Sequence, residues 1–100
     1  MNVRLIINTQ IRSKLLEKHK VTEKEVRECF LNRERTALKD EREEHQTEPP
    51  TLWIISKTNH LRELKLIFMI RERNVILKTA YEPNQKEIQI YLTKARLLAE

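Results

Sequence analysis

The chain is 100 residues long, 39% apolar and 35% charged, enough for one domain around a single modest core. Its 20 Lys and Arg residues against 15 Asp and Glu, with a sequence pI near 9.6, imply a basic surface suited to RNA or DNA, or to an acidic protein partner. Glycine is absent, which excludes the Gly-rich phosphate loops of kinases and dinucleotide-binding folds. The lone Cys29 excludes an intrachain disulfide or a thiolate metal cluster and suits a reducing cytosol.

In chain order, Val3 to Ile7 reads as a short strand, too short for a secretory core or a membrane span, so a soluble cytoplasmic protein is expected. Asn8 is an N-cap for a helix from Thr9 to Lys18, on which Ile11, Leu15 and His19 form one stripe joined by Leu16. The second helix has the clearest start signal. Thr22 is the N-cap, Glu25 its capping-box partner, and Val21 and Val26 a hydrophobic staple. Val26, Cys29 and Phe30 give its buried face, where a thiol is inert, and the helix should fray near Asn32. From Arg33 to Glu48 four basic and six acidic residues give a net charge of −2, so the basic field, +7, belongs to the rest of the chain. Thr36-Ala37-Leu38 could pair briefly, but the charge run from Asp40 to His45 and then Pro49-Pro50 read as a loop.

The stretch Thr51 to Tyr81 organises the fold. Leu64, Leu66, Phe68 and Ile70 alternate with Lys65, Ile67 and Met69, giving one fully apolar face and one mixed face. Leu52, Ile54 and Ser56 alternate with Trp53, Ile55 and Lys57, and Val75, Leu77 and Thr79 with Ile76, Lys78 and Ala80, so three antiparallel strands are expected. Asn59-His60 and Arg73-Asn74 are the expected reversals, because Asn tolerates the left-handed conformation when Gly is lacking. Asn84 and Glu87 can cap a last helix whose stripe is Ile88, Tyr91, Leu92 and Ala95. The order predicts an α+β domain spanning 1–100, with two N-terminal helices, a mainly antiparallel sheet of three to five strands and a C-terminal helix.

His19, His45 and His60 are scattered without ligand spacing, so neither a metal nor a cofactor is expected. What remains is a set of cations. Lys65 and Lys78 fall on the mixed face, flanked near strand ends by Lys57, Arg62 and Arg71. Such a face could hold a phosphodiester and stabilise the charge that develops when an RNA 2′-hydroxyl attacks it. The same residues also fit an ordinary solvated sheet face. Tyr81, Tyr91 and Trp53 can each stack on a base or belong to the core. His19, between Lys18 and Lys20, suits a helix cap, and Asp40 and His45 could supply acid–base chemistry or be solvated.

Lys18-His19-Lys20-Val21-Thr22, followed by Glu25-Val26 and Phe30, resembles the Lys-His-Gly-Val-Ser/Thr helix junction of BrnT-type toxins in the RelE superfamily. Asp40, Arg62, Thr79-Ala80 and Tyr91 continue the resemblance over roughly Asn8 to Tyr91. The chain departs from the family at Lys20, where the family has glycine, at Leu15, at Glu48-Pro49-Pro50 and at Tyr81, where it has arginine. The resemblance implies a microbial-ribonuclease-type fold. It also implies a metal-independent endoribonuclease toxin acting on RNA, in translation among other settings, and held inactive by a cognate antitoxin, a small DNA-binding protein from the adjacent gene. A non-enzymatic nucleic-acid-binding or adaptor protein on the same scaffold is the alternative. On the enzymatic reading Arg62 and Lys78 stabilise the phosphate, Tyr81 orients it and His19 accepts the proton. Lys18, Lys57, Lys65 and Arg71 bind RNA.

Overall fold

The structure, a computed structural model, describes residues 3–42 and 47–98, so Glu43, Glu44 and His45 of the charge run lie outside the described residues. Strand β1 (Arg4–Ile6) leads into helix α1 (Thr9–Lys14), which continues as a π-helical stretch (Leu15–His19). Helix α2 (Glu23–Asn32), strands β2 (Leu38–Lys39), β3 (Thr51–Lys57), β4 (Glu63–Arg71) and β5 (Asn74–Tyr81), and helix α3 (Gln85–Lys94) follow. The sheet order is β1-β5-β4-β3-β2, with β1 parallel to β5 and the other neighbours antiparallel. This is the expected α+β arrangement. Among the described residues no helix is long and apolar enough to cross a membrane.

The local signals at the helix starts are realised. Thr22 and Glu25 form a reciprocal capping box, as do Asn84 and Glu87, and the Asn8 side chain accepts from the Ile11 N–H at 2.8 Å. The π-helical stretch, the connection after it and α2 bury Leu15, Val21, Val26 and Cys29 against Ile54, Leu64 and Leu66, the face that period-two patterning marked as fully apolar. α3 covers the reverse face, where its Tyr91 ring lies 5.5 Å from that of Trp53. Beyond α3, the Thr36 N–H donates to the Arg96 carbonyl and the Leu98 N–H to that of Glu34, which ties the C-terminal segment to the stretch before β2.

Several expectations are corrected. The first helix widens after Lys14, which turns Leu16 out to solvent while Leu15 stays buried; Leu92 of α3 is likewise exposed. Among the described residues the left-handed ones are Lys20, Leu61 and Glu72, not asparagines. Arg71 pairs with Asn74, so Glu72-Arg73 forms a two-residue reversal one position earlier than expected. Between β3 and β4 the loop is set from outside. Glu28 of α2 accepts the Asn59 N–H, Asn32 donates to the Lys57 carbonyl and to Asn59, and the Thr58 hydroxyl accepts from His60 and Arg62. With three hydrogen bonds from α2 and two to Thr58 within the loop, its course no longer depends on the intrinsic preference of Asn.

Lys20 (φ 55°, ψ 42°) caps the π-helical stretch, and the N–H groups of Lys20 and Val21 both converge on the Leu15 carbonyl. A side chain in this conformation costs about 1–2 kcal/mol, part of which glycine returns as extra backbone entropy in the unfolded chain. Lys20→Gly is therefore expected to raise the thermal midpoint by roughly 4 °C, read by circular dichroism. A lowered midpoint would show that the Lys20 side chain contributes more than its backbone costs.

Candidate nucleic-acid interface

At one end of the sheet the π-helical stretch, the end of β5 and the start of β4 meet. Tyr81 lies opposite Lys65 in the β4–β5 register, so both side chains emerge on the α3 face. There the two share one acceptor. Glu87 Oε2 receives the Lys65 ammonium at 2.7 Å and the Tyr81 hydroxyl at 3.2 Å, while Glu87 Oε1 receives the Asn84 N–H of the helix cap. Lys65 Nζ also stands 4.4 Å above the Trp53 ring and 5.8 Å from that of Tyr81, a cation–π arrangement in a site where Lys65 is only 8% exposed. The His19 and Tyr81 rings are 5.7 Å apart. A continuous row results: His19, Tyr81, Glu87, Lys65, Trp53. Burial pushes the Glu87 carboxyl upward, but hydrogen bonds from Lys65, the Asn84 N–H and Tyr81 outweigh it and hold the group below the usual carboxylate range.

Arg62 lies beside this row and is fully engaged. Its guanidinium donates to the carbonyls of His19 and Lys20 at 2.9 and 2.7 Å, to Glu25 at 3.1 Å and to Glu82 at 2.8 Å. One side chain thus closes the end of the first helix, joins it to the start of α2 and reaches the segment after β5. Burial again opposes ionisation of Glu25, and the Thr22 N–H together with Arg62 reverses it. In contrast, burial pushes the Cys29 thiol up to about 12, so it stays protonated at neutral pH.

Next to the row, between β2, the following loop and α3, runs an open groove of about 510 Å³. Lys39, Arg42, Lys65, Lys86 and Lys94 line it, against Asp40, Glu41 and Glu87, and Trp53 forms part of its floor. Asp40 is buried and accepts the Arg42 guanidinium at 3.1 and 2.9 Å, and the Arg42 N–H as well. Lys39, Lys86 and Lys94 make no ion pair among the described residues. Exposed cations along an open groove supply the charge that nucleic-acid phosphates require, while the Trp53 ring is engaged by Lys65 and Tyr91.

The structure thus brings together His19, Tyr81 and Lys65, with Arg62 adjoining and Lys18 exposed one residue from His19. Lys78 is the extra residue of a β-bulge, because Ile67 pairs with Thr79 and Phe68 with Leu77; it is exposed and lacks a cross-strand partner. Arg71 sits six residues along β4 from Lys65, roughly 20 Å away, and is outside the cluster. Lys57, at the end of β3, lines a separate cavity with Glu63, Glu34 and Arg35. Sequence reasoning missed Glu87 as a site residue, since it registered only as a cap, and it missed the groove lysines. The spacing of Lys86, Ile90 and Lys94, i, i+4 and i+8, was the available signal. No protein-family model matches the chain, and no curated protein sequence is significantly similar to it. The class that fold and site define is an α+β domain with a basic, aromatic-floored groove.

Proposed function

We propose that this chain is a cytoplasmic, RNA-binding toxin of a toxin–antitoxin pair that cleaves RNA without a metal ion. The observation that carries the reading is the row from His19 to Trp53 opening onto a lysine-rich groove. RNA lies in the groove with its phosphates on Lys39, Lys86 and Lys94. At the scissile step the substrate 2′-oxygen attacks phosphorus, His19 takes the 2′-hydroxyl proton, the P–O5′ bond breaks, and the 5′-oxygen leaves with a proton from the Lys18 ammonium. Lys78 stabilises the pentacoordinate phosphorane. The products are a 2′,3′-cyclic phosphate and a 5′-hydroxyl. Tyr81, held by Glu87, fixes the His19 ring.

The test is incubation of labelled RNA with purified protein in excess chelator, alone and with ribosomes. Wild type should leave cyclic-phosphate ends. His19→Gln should cut slower by about 100-fold while binding RNA with unchanged affinity. Absence of both cleavage and growth inhibition would sink the enzymatic reading. One observation favours a second reading, RNA binding without cleavage: the two cations best fixed in place, Lys65 and Arg62, are already paired with Glu87, Glu25 and Glu82. Binding with a steep salt dependence and no cleaved product would support it.

A further inference from the structure

The two faces of the sheet are covered to different extents. On the α1–α2 side, burial falls off along all three central strands toward the same end. On β4, Leu64 and Leu66 are 0% exposed, Phe68 is 4% and Ile70 is 46%; on β5, Ala80 and Leu77 are buried and Val75 is half-buried; on β3, Ile54 is buried and Leu52 half-buried. Leu5, Val75 and Ile70 lie side by side across β1, β5 and β4. They form the floor of a groove of about 570 Å³ walled by α2, with Leu31 (82% exposed) and Val3 (55% exposed) on its rims. Monomeric proteins rarely leave a contiguous apolar surface like this uncovered.

Charge indicates what covers it. Arg27 and Arg33 line this groove, and Arg4 and Arg73 line the adjoining hollow that shares Val3, Leu5 and Arg27 with it. No Asp or Glu among the described residues lines either. Arg27 is shared with Glu23, whereas Arg4 and Arg73 make no ion pair among the described residues. The row Leu5, Val75, Ile70 spans two strand spacings, about 10 Å, which two turns of a helix cover with residues at i, i+3 or i+4, and i+7. That is the place of one more helix packed beside α2 on the same sheet face.

We propose that this face docks a protein partner through an acidic amphipathic helix, its apolar stripe on Leu5, Val75 and Ile70 and its carboxylates on Arg33 and Arg73. The site is on the face opposite the lysine groove, so partner and RNA bind together, and the proposal stands whether or not RNA is cleaved. Panning a phage-displayed library of peptides about 20 residues long against the whole protein tests it. The expected winners carry apolar residues at helical spacing with a surplus of Asp and Glu. They lose affinity at least about tenfold on Leu31→Asp or on Arg33→Glu with Arg73→Glu, and an RNA oligonucleotide does not displace them. Neutral or basic winners, winners indifferent to these substitutions, or winners displaced by RNA would overturn it. A dimer in sedimentation that Leu31→Asp dissolves would also overturn it, by assigning the face to a second copy.

Discussion

Arg62→Ala should lower the thermal midpoint by roughly 15 °C, the equivalent of about 2–3 kcal/mol in a chain of this size. The guanidinium holds two helix-end carbonyls and two carboxylates belonging to three separate segments, and its side chain is only 25% exposed. Removing it leaves the His19 and Lys20 carbonyls without this donor and the Glu25 carboxylate with only its Thr22 donors, a larger loss than that of an exposed ion pair. Arg62→Lys should recover only part, because an ammonium cannot serve four acceptors arranged around a planar fork. A midpoint within about 2 °C of wild type would mean that water replaces the guanidinium at little cost. The same geometry governs how Arg62 variants are read: lost RNA cleavage counts as chemistry only where the fraction folded is measured beside it.

Glu87→Gln should destabilise by about 3 kcal/mol, since it strands the Lys65 ammonium beneath α3 without its carboxylate. Adding Lys65→Met should restore most of that, because a linear apolar side chain fills the space between Trp53 and Tyr81 with no charge to compensate. Urea midpoints of the two variants decide it; equal loss in both would show that the Tyr81 and Asn84 contacts, not the ion pair, carry the stability. The pH dependence follows from the same carboxylates. Glu87, Glu25 and Glu23 are all held below the usual value of 4.5, so their contribution is complete above that pH and is lost as pH falls through the depressed folded values. Wild type should hold a constant midpoint near neutrality and lose stability on acidification below about 4.5, and Glu87→Gln should lose less.

What could be seen in the sequence was whatever a few neighbouring residues decide. The boxes Thr22–Glu25 and Asn84–Glu87 are local, and so is the alternation along β4. The parallel seating of β1, the widening after Lys14 and the bulge at Lys78 depend on contacts between distant segments, and no window of the sequence holds them. Left-handed Leu61 and Glu72 are cases where closure of a loop overrides residue preference. The site divides in the same way. His19, Tyr81 and Lys65 were recognisable by type and strand parity, but Lys65 was expected on an open face and lies under α3, and Arg62 was expected to face a phosphate and clasps its own backbone. The groove lysines come from β2 and α3, which only the folded sheet brings together.

The parallel pairing of β1 with β5 also sets an order of events during synthesis. Arg4, Leu5 and Ile6 are made 70 residues before their partners Asn74, Val75 and Ile76. At 5–20 residues per second the first strand waits roughly 4–14 s for its neighbour, so this edge of the sheet closes last and only after the β4–β5 hairpin exists. Until then the newest chain in the cell carries an unpaired strand and a half-built apolar face, a window in which a partner made alongside it has its best access.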